Sequence, residues 1–206
     1  MSLFSWSAPL EVKAAPATTP DLDASLLGGL ARPPGSVIID MTIDHQLGDN
    51  WCWAAASQAI HRRYEPDNSR SQCDIATATL GQYEPNPPGP CCEGEPRNGP
   101  CDQSYYLDRA LTVLHHFDRY EVGAMGLAHL IGELQNDRPV GIRIRWGTGP
   151  DAHFVIAGGV VPGPEPTVLI HDPAEAQGDE PSEVPIGTLV NGYKSAGSWT
   201  HSFLTR

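Results

Sequence analysis

The 206-residue sequence contains no uninterrupted apolar run of about 20 residues, the length that crosses a bilayer. We therefore predict no transmembrane helix. Basic residues are also scarce, because 13 Lys and Arg stand against 25 Asp and Glu, for a formal net charge of −12. Nucleic acids and anionic membranes are bound through clustered basic residues, so we expect neither as a partner.

The first twenty residues lack a basic segment followed by a long apolar one, which is the pattern of an ordinary secretory signal. The cysteines indicate an oxidising compartment instead. Cys52 stands alone, whereas the other four lie within 29 residues: Cys73, Cys91, Cys92 and Cys101. One free thiol beside two disulfides fits this division. We predict export by a route without an ordinary signal peptide, with a cytoplasmic location as the alternative.

The composition along the chain predicts one domain behind a flexible arm. Residues 1–35 are rich in Ala, Pro, Thr and Ser and show no clean period, which is typical of a mobile segment. Residues 36–206 are enough for one domain with its own core. Helical spacing comes first, at 50–64, 71–83, 102–117 and 126–139. Apart from a strand at 36–43, strand patterns follow, at 140–146, 153–161, 167–173 and 198–205. This order predicts an α+β fold with an antiparallel sheet.

The segment "HQLGDNWCWAAASQAI" places Cys52 near the start of a predicted helix, with Asn50 as its N-cap. A thiol reacts as its thiolate, which a helix N-terminus and a nearby imidazolium both favour. Cys52 is therefore a candidate nucleophile. The alternative is a packing role, because free cysteine is among the residue types most often buried.

Three further residues have the chemistry that an acyl-transfer site needs. His153 begins the apolar strand "HFVIAGG", and Asp172 ends the next strand in "VLIHDP", so an antiparallel hairpin would bring them together. His153 is the candidate general base and Asp172 the group that orients it, with Asn191 as a weaker rival. Gln46, six positions before Cys52, is a candidate oxyanion donor together with the Cys52 backbone N–H. Each residue alone has an ordinary structural explanation, and the prediction depends on finding them together.

These motifs resemble the papain-like cysteine peptidases, and among them the bacterial branch with C39-like and AvrRpt2-like members. The resemblance rests on Gln-x5-Cys-Trp-Ala, on the two late strands and on the "G-x-W-x-x-x-F" that begins at Gly197. It covers about residues 37–206. It implies a helical N-terminal half that carries Cys52 as nucleophile and an antiparallel sheet that carries His153 and Asp172. It also implies that Gln46 is the oxyanion donor.

The sequence departs from papain on both sides of the site. Asp49, Asn50 and Trp51 precede the nucleophile where papain has Cys-Gly-Ser, and an aspartate replaces papain's asparagine. We list Trp51 and Trp199 as candidates for lining the substrate cleft, although packing in the core explains either tryptophan equally well.

The segment from Glu84 to Pro100 holds six prolines and three glycines, so a loop is predicted that needs pinning. Disulfides would pin it, either as Cys73–Cys91 with Cys92–Cys101 or as Cys73–Cys92 with Cys91–Cys101. Adjacent cysteines rarely bridge each other. Free thiols and zinc binding are the alternatives, but structural zinc usually takes closer Cys-x(2–4)-Cys spacings.

The sequence thus predicts a cysteine peptidase that cleaves protein or peptide substrates through a thioester acyl-enzyme. It leaves the oligomeric state open and favours a monomer. We predict no cofactor and no metal site. An exported bacterial effector or toxin fits the cysteines and the arm. Two alternatives stay open: an acyl transferase, deamidase or transglutaminase-like enzyme on the same site, and a non-catalytic binding module.

Overall fold

The first half of the fold is helical. The computed structural model describes residues 32–94, 96–149, 151–175 and 180–206, so the predicted arm lies outside it except for residues 32–35. Three helices pack on one another: α1 (Cys52–Tyr64), α2 (Gln72–Tyr83) and α3 (Leu107–Val113). Two more helices occur among the strands, α4 (Leu127–Gln135) and α5 (Ile186–Val190). None of the helices described is long and apolar enough to span a membrane.

The second half is an antiparallel sheet. The strands in the described residues are β1 (Val37–Ile38), β2 (Phe117–Val122), β3 (Val140–Trp146), β4 (Ala152–Val161), β5 (Thr167–His171), β6 (Ser182–Pro185), β7 (Asn191–Tyr193) and β8 (Gly197–Thr205). Their order is β2-β8-β3-β4-β5-β6, with β1 paired to β4 and β7 paired to β8. Every pairing is antiparallel. The predicted α+β class with an antiparallel sheet is confirmed.

Strand alternation gives the sheet two apolar faces. On β4, Phe154 and Ile156 belong to the apolar cluster that the sheet forms with α1, α2 and α3. Val155 and Ala157 belong to a second apolar cluster, on the opposite face of the sheet. Successive side chains of a strand point to opposite faces, so a continuous apolar run such as β4 belongs at the centre of a covered sheet. The N-terminus of α1 is thereby placed beside the start of β4.

Two predicted elements differ most from the structure. The helix predicted over 102–117 is restricted to α3, because His115 adopts a left-handed φ of 63° and the chain then pairs with β8 as β2. The strand predicted over 36–43 is reduced to β1, which pairs with β4 at two positions only. Pairing between segments distant in sequence leaves no trace in the local periodicity of either.

Two disulfides pin the Pro-rich loop. Cys73 of α2 is bonded to Cys92, and Cys91 is bonded to Cys101, with Cα–Cα distances of 5.7 and 5.5 Å. This is the second of the two pairings that the sequence left open. Among the described residues, Cys52 is the free cysteine. Closing loops of this size contributes about 3 kcal/mol each to stability.

Candidate active site

Cys52 is the first residue of α1. The N-cap is Trp51 and has no side-chain capping bond, so the prediction that Asn50 caps the helix is wrong. The Asn50 backbone N–H instead donates to Asp102 Oδ1 at 2.8 Å. The first N–H groups of a helix have no partner within it, and this end carries the positive part of the helix dipole. The thiol therefore stands where a negative charge is favoured.

The loop before Cys52 is held by the segment that follows the Cys91–Cys101 disulfide. Asp102 Oδ2 accepts N–H groups from Asp49 at 3.3 Å and from Asn98 at 3.0 Å. Burial raises the pKa of Asp102, but these backbone hydrogen bonds and the one from Asn50 outweigh it and hold that pKa below its ordinary value. A charged carboxylate thus ties three backbone positions together.

The two tryptophans beside the thiol fasten the same segment. Trp51 Nε1 donates to the Cys101 carbonyl at 2.7 Å, and Trp53 Nε1 donates to the Gln103 carbonyl at 3.0 Å. Both indoles are fully buried. The prediction that Trp51 lines the cleft is therefore wrong, because its indole points into the core and uses its only donor there.

His153 and Asp172 come together through the β4–β5 pair. His153 is the second residue of β4, and Asp172 directly follows β5. His153 Nε2 lies 2.5 Å from Asp172 Oδ1. The Asp172 side chain has no exposed area, and that of His153 is 14% exposed. The hairpin predicted from the sequence does bring these two residues into contact.

Asp172 has three other hydrogen-bond partners that the sequence did not indicate. Ala174 N–H donates to Oδ1 at 2.9 Å, while Tyr193 Oη and Lys194 Nζ donate to Oδ2 at 2.8 and 2.7 Å. Burial raises the pKa of Asp172, but His153, Lys194 and Ala174 outweigh it and hold that pKa well below its ordinary value. Asp172 is thus a carboxylate at neutral pH. Tyr193 and Lys194 lie about 20 residues further on, in a segment with no local motif, and only the fold reveals their role.

The charge on His153 follows from its two neighbours. Burial lowers the pKa of His153, but Asp172 and the nearby Cys52 outweigh burial and raise it to about 9. Since Nε2 is bound to Asp172, Nδ1 is the ring nitrogen left for the thiol. The protonated imidazole is therefore the favoured form at neutral pH, and it can stabilise a thiolate at Cys52.

Gln46 lies at the cleft, but its amide is engaged. Nε2 donates to the carbonyls of Gly48 at 3.0 Å and Asp49 at 2.8 Å. These contacts use both amide hydrogens, and Oε1 is buried without a partner. Donating to an oxyanion would require Gln46 to turn or to share one of these hydrogens. Its predicted role as oxyanion donor stays a prediction. The Cys52 N–H, at the first helical position, has no partner within α1.

These residues open on one cleft of about 1220 Å³, which Cys52, His153, Asp172 and Gln46 all line. The rest of the wall carries six aromatic side chains, Tyr105, Tyr106, Tyr120, Trp146, Phe154 and Phe203. It also carries both acidic and basic side chains: Asp49, Asp108, Asp151, Arg109, Arg143 and Lys194. Trp199 is not part of it. That indole is 4% exposed and donates to Ser202 Oγ at 2.9 Å, so the prediction that Trp199 lines the cleft is wrong.

Comparison with known proteins shows a similarity in fold. No protein-family model matches the chain, and no curated protein matches it. The chain is similar to a crystal structure from Bacillus anthracis whose protein is provisionally described as a C39-like peptidase. The TM-score is 0.50 at 15% identity, and the match covers 83% of this chain and 98% of that one. At this identity the likeness shows the fold alone. The chain therefore shares its α+β fold with that protein.

Proposed function

We propose that this chain is a cysteine peptidase that cleaves peptide bonds through a thioester acyl-enzyme. The observation that carries the proposal is the position of His153 between two groups. Its Nε2 is bound to the buried Asp172 carboxylate, and Cys52, at the start of α1, lines the same cleft and helps to raise the pKa of His153. A nucleophile, a base and the group that orients the base are the minimum for acyl transfer.

The reaction follows from these three groups. The Cys52 thiolate attacks the scissile carbonyl carbon and forms a C–S bond. The oxygen becomes an oxyanion, which the Cys52 N–H is positioned to stabilise. His153 gives its Nδ1 proton to the amide nitrogen, the C–N bond breaks, and the amine leaves a thioester. His153 then takes a proton from water, the hydroxide attacks the thioester, and Cys52 leaves as the thiolate beside protonated His153.

Asp172 serves as the orienting group in this scheme. Its Oδ1 fixes His153 Nε2, which keeps Nδ1 directed at the thiol. Tyr193 and Lys194 hold the carboxylate from its other side. Because this carboxylate stays charged, it stabilises the imidazolium in every step in which His153 carries the proton.

The shared fold and the open cleft support a polypeptide substrate. The structural neighbour is described as a peptidase, and we extend that activity to this chain on the strength of the site. Assignment to the AvrRpt2-like branch stays a prediction. So does the role of exported effector or toxin, although two disulfides support work in an oxidising compartment.

Incubation with a peptide library tests the proposal. Mass spectrometry should find new peptide termini, and Cys52→Ala should abolish them without a change in the circular dichroism spectrum. Asn191→Ala is the control for the orienting group. Because Asp172 already binds His153 Nε2, Asn191 is not needed to orient the ring, and its replacement should leave cleavage unchanged. A 1 Da mass increase or ligated peptides in place of cleavage would identify a deamidase or an acyl transferase instead. No product of any kind would contradict the proposal.

A further inference from the structure

Two buried histidines face each other at the end of α1 that is remote from Cys52. His61 lies in the last turn of α1 and His116 lies just before β2, and they are 2% and 6% exposed. His61 Nδ1 is 2.9 Å from His116 Nε2. Glu65 caps the helix, and its Oε1 is 3.6 Å from the same His116 nitrogen. One ligand atom from each of the three residues lies within 4.8 Å of the others.

Two neutral imidazoles carry only two N–H protons between them, and the hydrogen bonds of this pair call for a third proton or a cation. On its outer side His61 Nε2 is 2.9 Å from the Asn68 carbonyl, and His116 Nδ1 is 3.3 Å from the Arg206 carbonyl. A carbonyl oxygen only accepts, so both outer contacts are hydrogen bonds only when both outer nitrogens donate. The two inner nitrogens then present lone pairs to each other at 2.9 Å. Either a third proton or a cation has to separate them.

The hydrogen bonds around the two histidines and Glu65 match those of a metal site better than those of a protonated histidine pair. Histidines that bind metals generally donate their other ring N–H to a backbone carbonyl, as both histidines do here. Ligating carboxylates are themselves hydrogen-bonded, and Glu65 Oε2 accepts from Asn68 Nδ2 at 2.9 Å. Asn68 therefore orients two of the three groups. A protonated imidazole buried against the other ring would lose its hydration without compensation. A coordinated metal ion also loses hydration, but its bonds to the ligands replace it.

We propose that His61, His116 and Glu65 bind a zinc ion. Two histidines with one glutamate form a known zinc ligand set that leaves a fourth position for water. Zinc–nitrogen bonds of about 2.0–2.1 Å at a tetrahedral angle separate the nitrogens by about 3.3 Å, so the rings need to part by only about 0.4 Å. The Glu65 side chain is 42% exposed and provides the way in from solvent.

The position of the ion defines its role. Helix C-termini favour cations, and the site joins the end of α1, the turn at Pro66–Asn68 and the start of β2. His61 follows Cys52 by nine residues, so the ion sits about 13 Å along α1 from the thiol. It therefore stabilises the helix that carries Cys52 and takes no part in the reaction.

Metal titration of the whole chain tests the site. The Cys52→Ala protein, with its disulfides intact, removes the thiol as a competing ligand. After metal is stripped, zinc should displace a chromophoric chelator with one-to-one stoichiometry and raise the unfolding temperature. Cobalt(II) should give the visible absorption of a four-coordinate ion. Glu65→Gln and His116→Ala should weaken zinc binding by at least about tenfold.

A matched control separates this site from surface histidines. His129 is 40% exposed and lies 3.7 Å from Glu121 and 3.5 Å from Glu133, so it offers similar groups on the surface. His129→Ala should leave zinc affinity and stoichiometry unchanged. Should His116→Ala fail to fold, Glu65→Gln decides, because Glu65 is partly exposed. Absence of one-to-one binding, or an unchanged affinity in Glu65→Gln, would overturn the proposal.

Discussion

The indole of Trp51 donates a hydrogen bond to the carbonyl of Cys101 at 2.7 Å. Trp51 immediately precedes the candidate nucleophile, and Cys101 is half of a disulfide. The start of α1 is therefore fixed by a covalently pinned loop rather than by a capping side chain. The position of the thiol depends on contacts with residues about 50 positions later in the chain.

Replacing Trp51 by Phe tests the role of this hydrogen bond. The Cys101 carbonyl would lose a buried donor, which lowers the free energy of unfolding by about 1–3 kcal/mol. We expect kcat to fall as well, because the start of α1 loses an anchor. Trp199→Phe is the matched control, since that indole is also buried and hydrogen-bonded but lies away from the cleft. Equal losses of kcat in two equally stable variants would show that Trp51 has no positioning role.

The two disulfides should differ in their effect on activity. Removing Cys91–Cys101 with a double serine variant loosens the segment that holds Asp102 and the loop before Cys52. Removing Cys73–Cys92 loosens the far end of the same loop. We expect both variants to melt at lower temperature and the first to lose more kcat. Stability comes from thermal unfolding and kcat from peptide cleavage. A larger kcat loss in the Cys73–Cys92 variant would contradict this account.

The pH dependence of activity should report the His153–Asp172 pair. Protonated His153 is the acid that releases the amine, so kcat/KM should fall on the alkaline side with a midpoint at about pH 9. In Asp172→Asn the pKa of His153 should drop, and this midpoint should move to lower pH. An alkaline midpoint unchanged in Asp172→Asn would show that Asp172 does not set the charge on His153.

The same pKa predicts how stability changes with pH. The folded state raises the pKa of His153 from 6.5 to about 9 and so favours the protonated ring. This contribution to stability is fully present below pH 6.5 and is lost as the pH rises through about 9. His153→Ala should therefore flatten the fall in unfolding free energy between these values, as measured by urea titration. A curve parallel to that of the parent protein would be inconsistent with the raised pKa.

Gln46 offers a test of whether its amide reaches the oxyanion. If it donates in the transition state, Gln46→Ala should lower kcat by about 100- to 1000-fold with little change in KM. If the amide only braces the carbonyls of Gly48 and Asp49, the variant should lose stability and kcat together. Gln46→Glu keeps the shape of the side chain but brings a negative charge, and it should be no more active than the alanine variant. Steady-state kinetics and urea unfolding on the same samples separate these outcomes.

Local patterns in the sequence were enough to predict the main helices and central strands. Alternation in "VGIRIRW" predicts 140–146, and β3 has these bounds. Ser71 was predicted to begin the second helix, and it caps α2 with a capping box to Asp74. Both features depend on neighbours within a few residues. β2 was missed because it exists only through its pairing with β8, about 80 residues later.

The candidate site also combines features that local sequence patterns predict with features that depend on distant parts of the chain. The contact between His153 and Asp172 could be predicted, because two consecutive apolar strands joined by a Pro-rich turn form a hairpin. Lys194 could not be predicted as a partner of Asp172, since its place depends on how the β7–β8 turn folds over the site. The choice between cleft and core for the two tryptophans could not be made from the sequence for a related reason. An indole beside a nucleophile can face the cleft or the core, and only the position of Cys101 decides it.

The most direct measurement is the intact mass of the protein after treatment with an epoxide that alkylates active-site thiols. With the disulfides oxidised, Cys52 is the free cysteine of the described residues. We expect one adduct per chain, located on Cys52 by peptide mapping, formed rapidly at neutral pH and much more slowly in His153→Ala. A folded protein that acquires no adduct on Cys52, or one whose alkylation rate is unchanged in His153→Ala, would contradict the account.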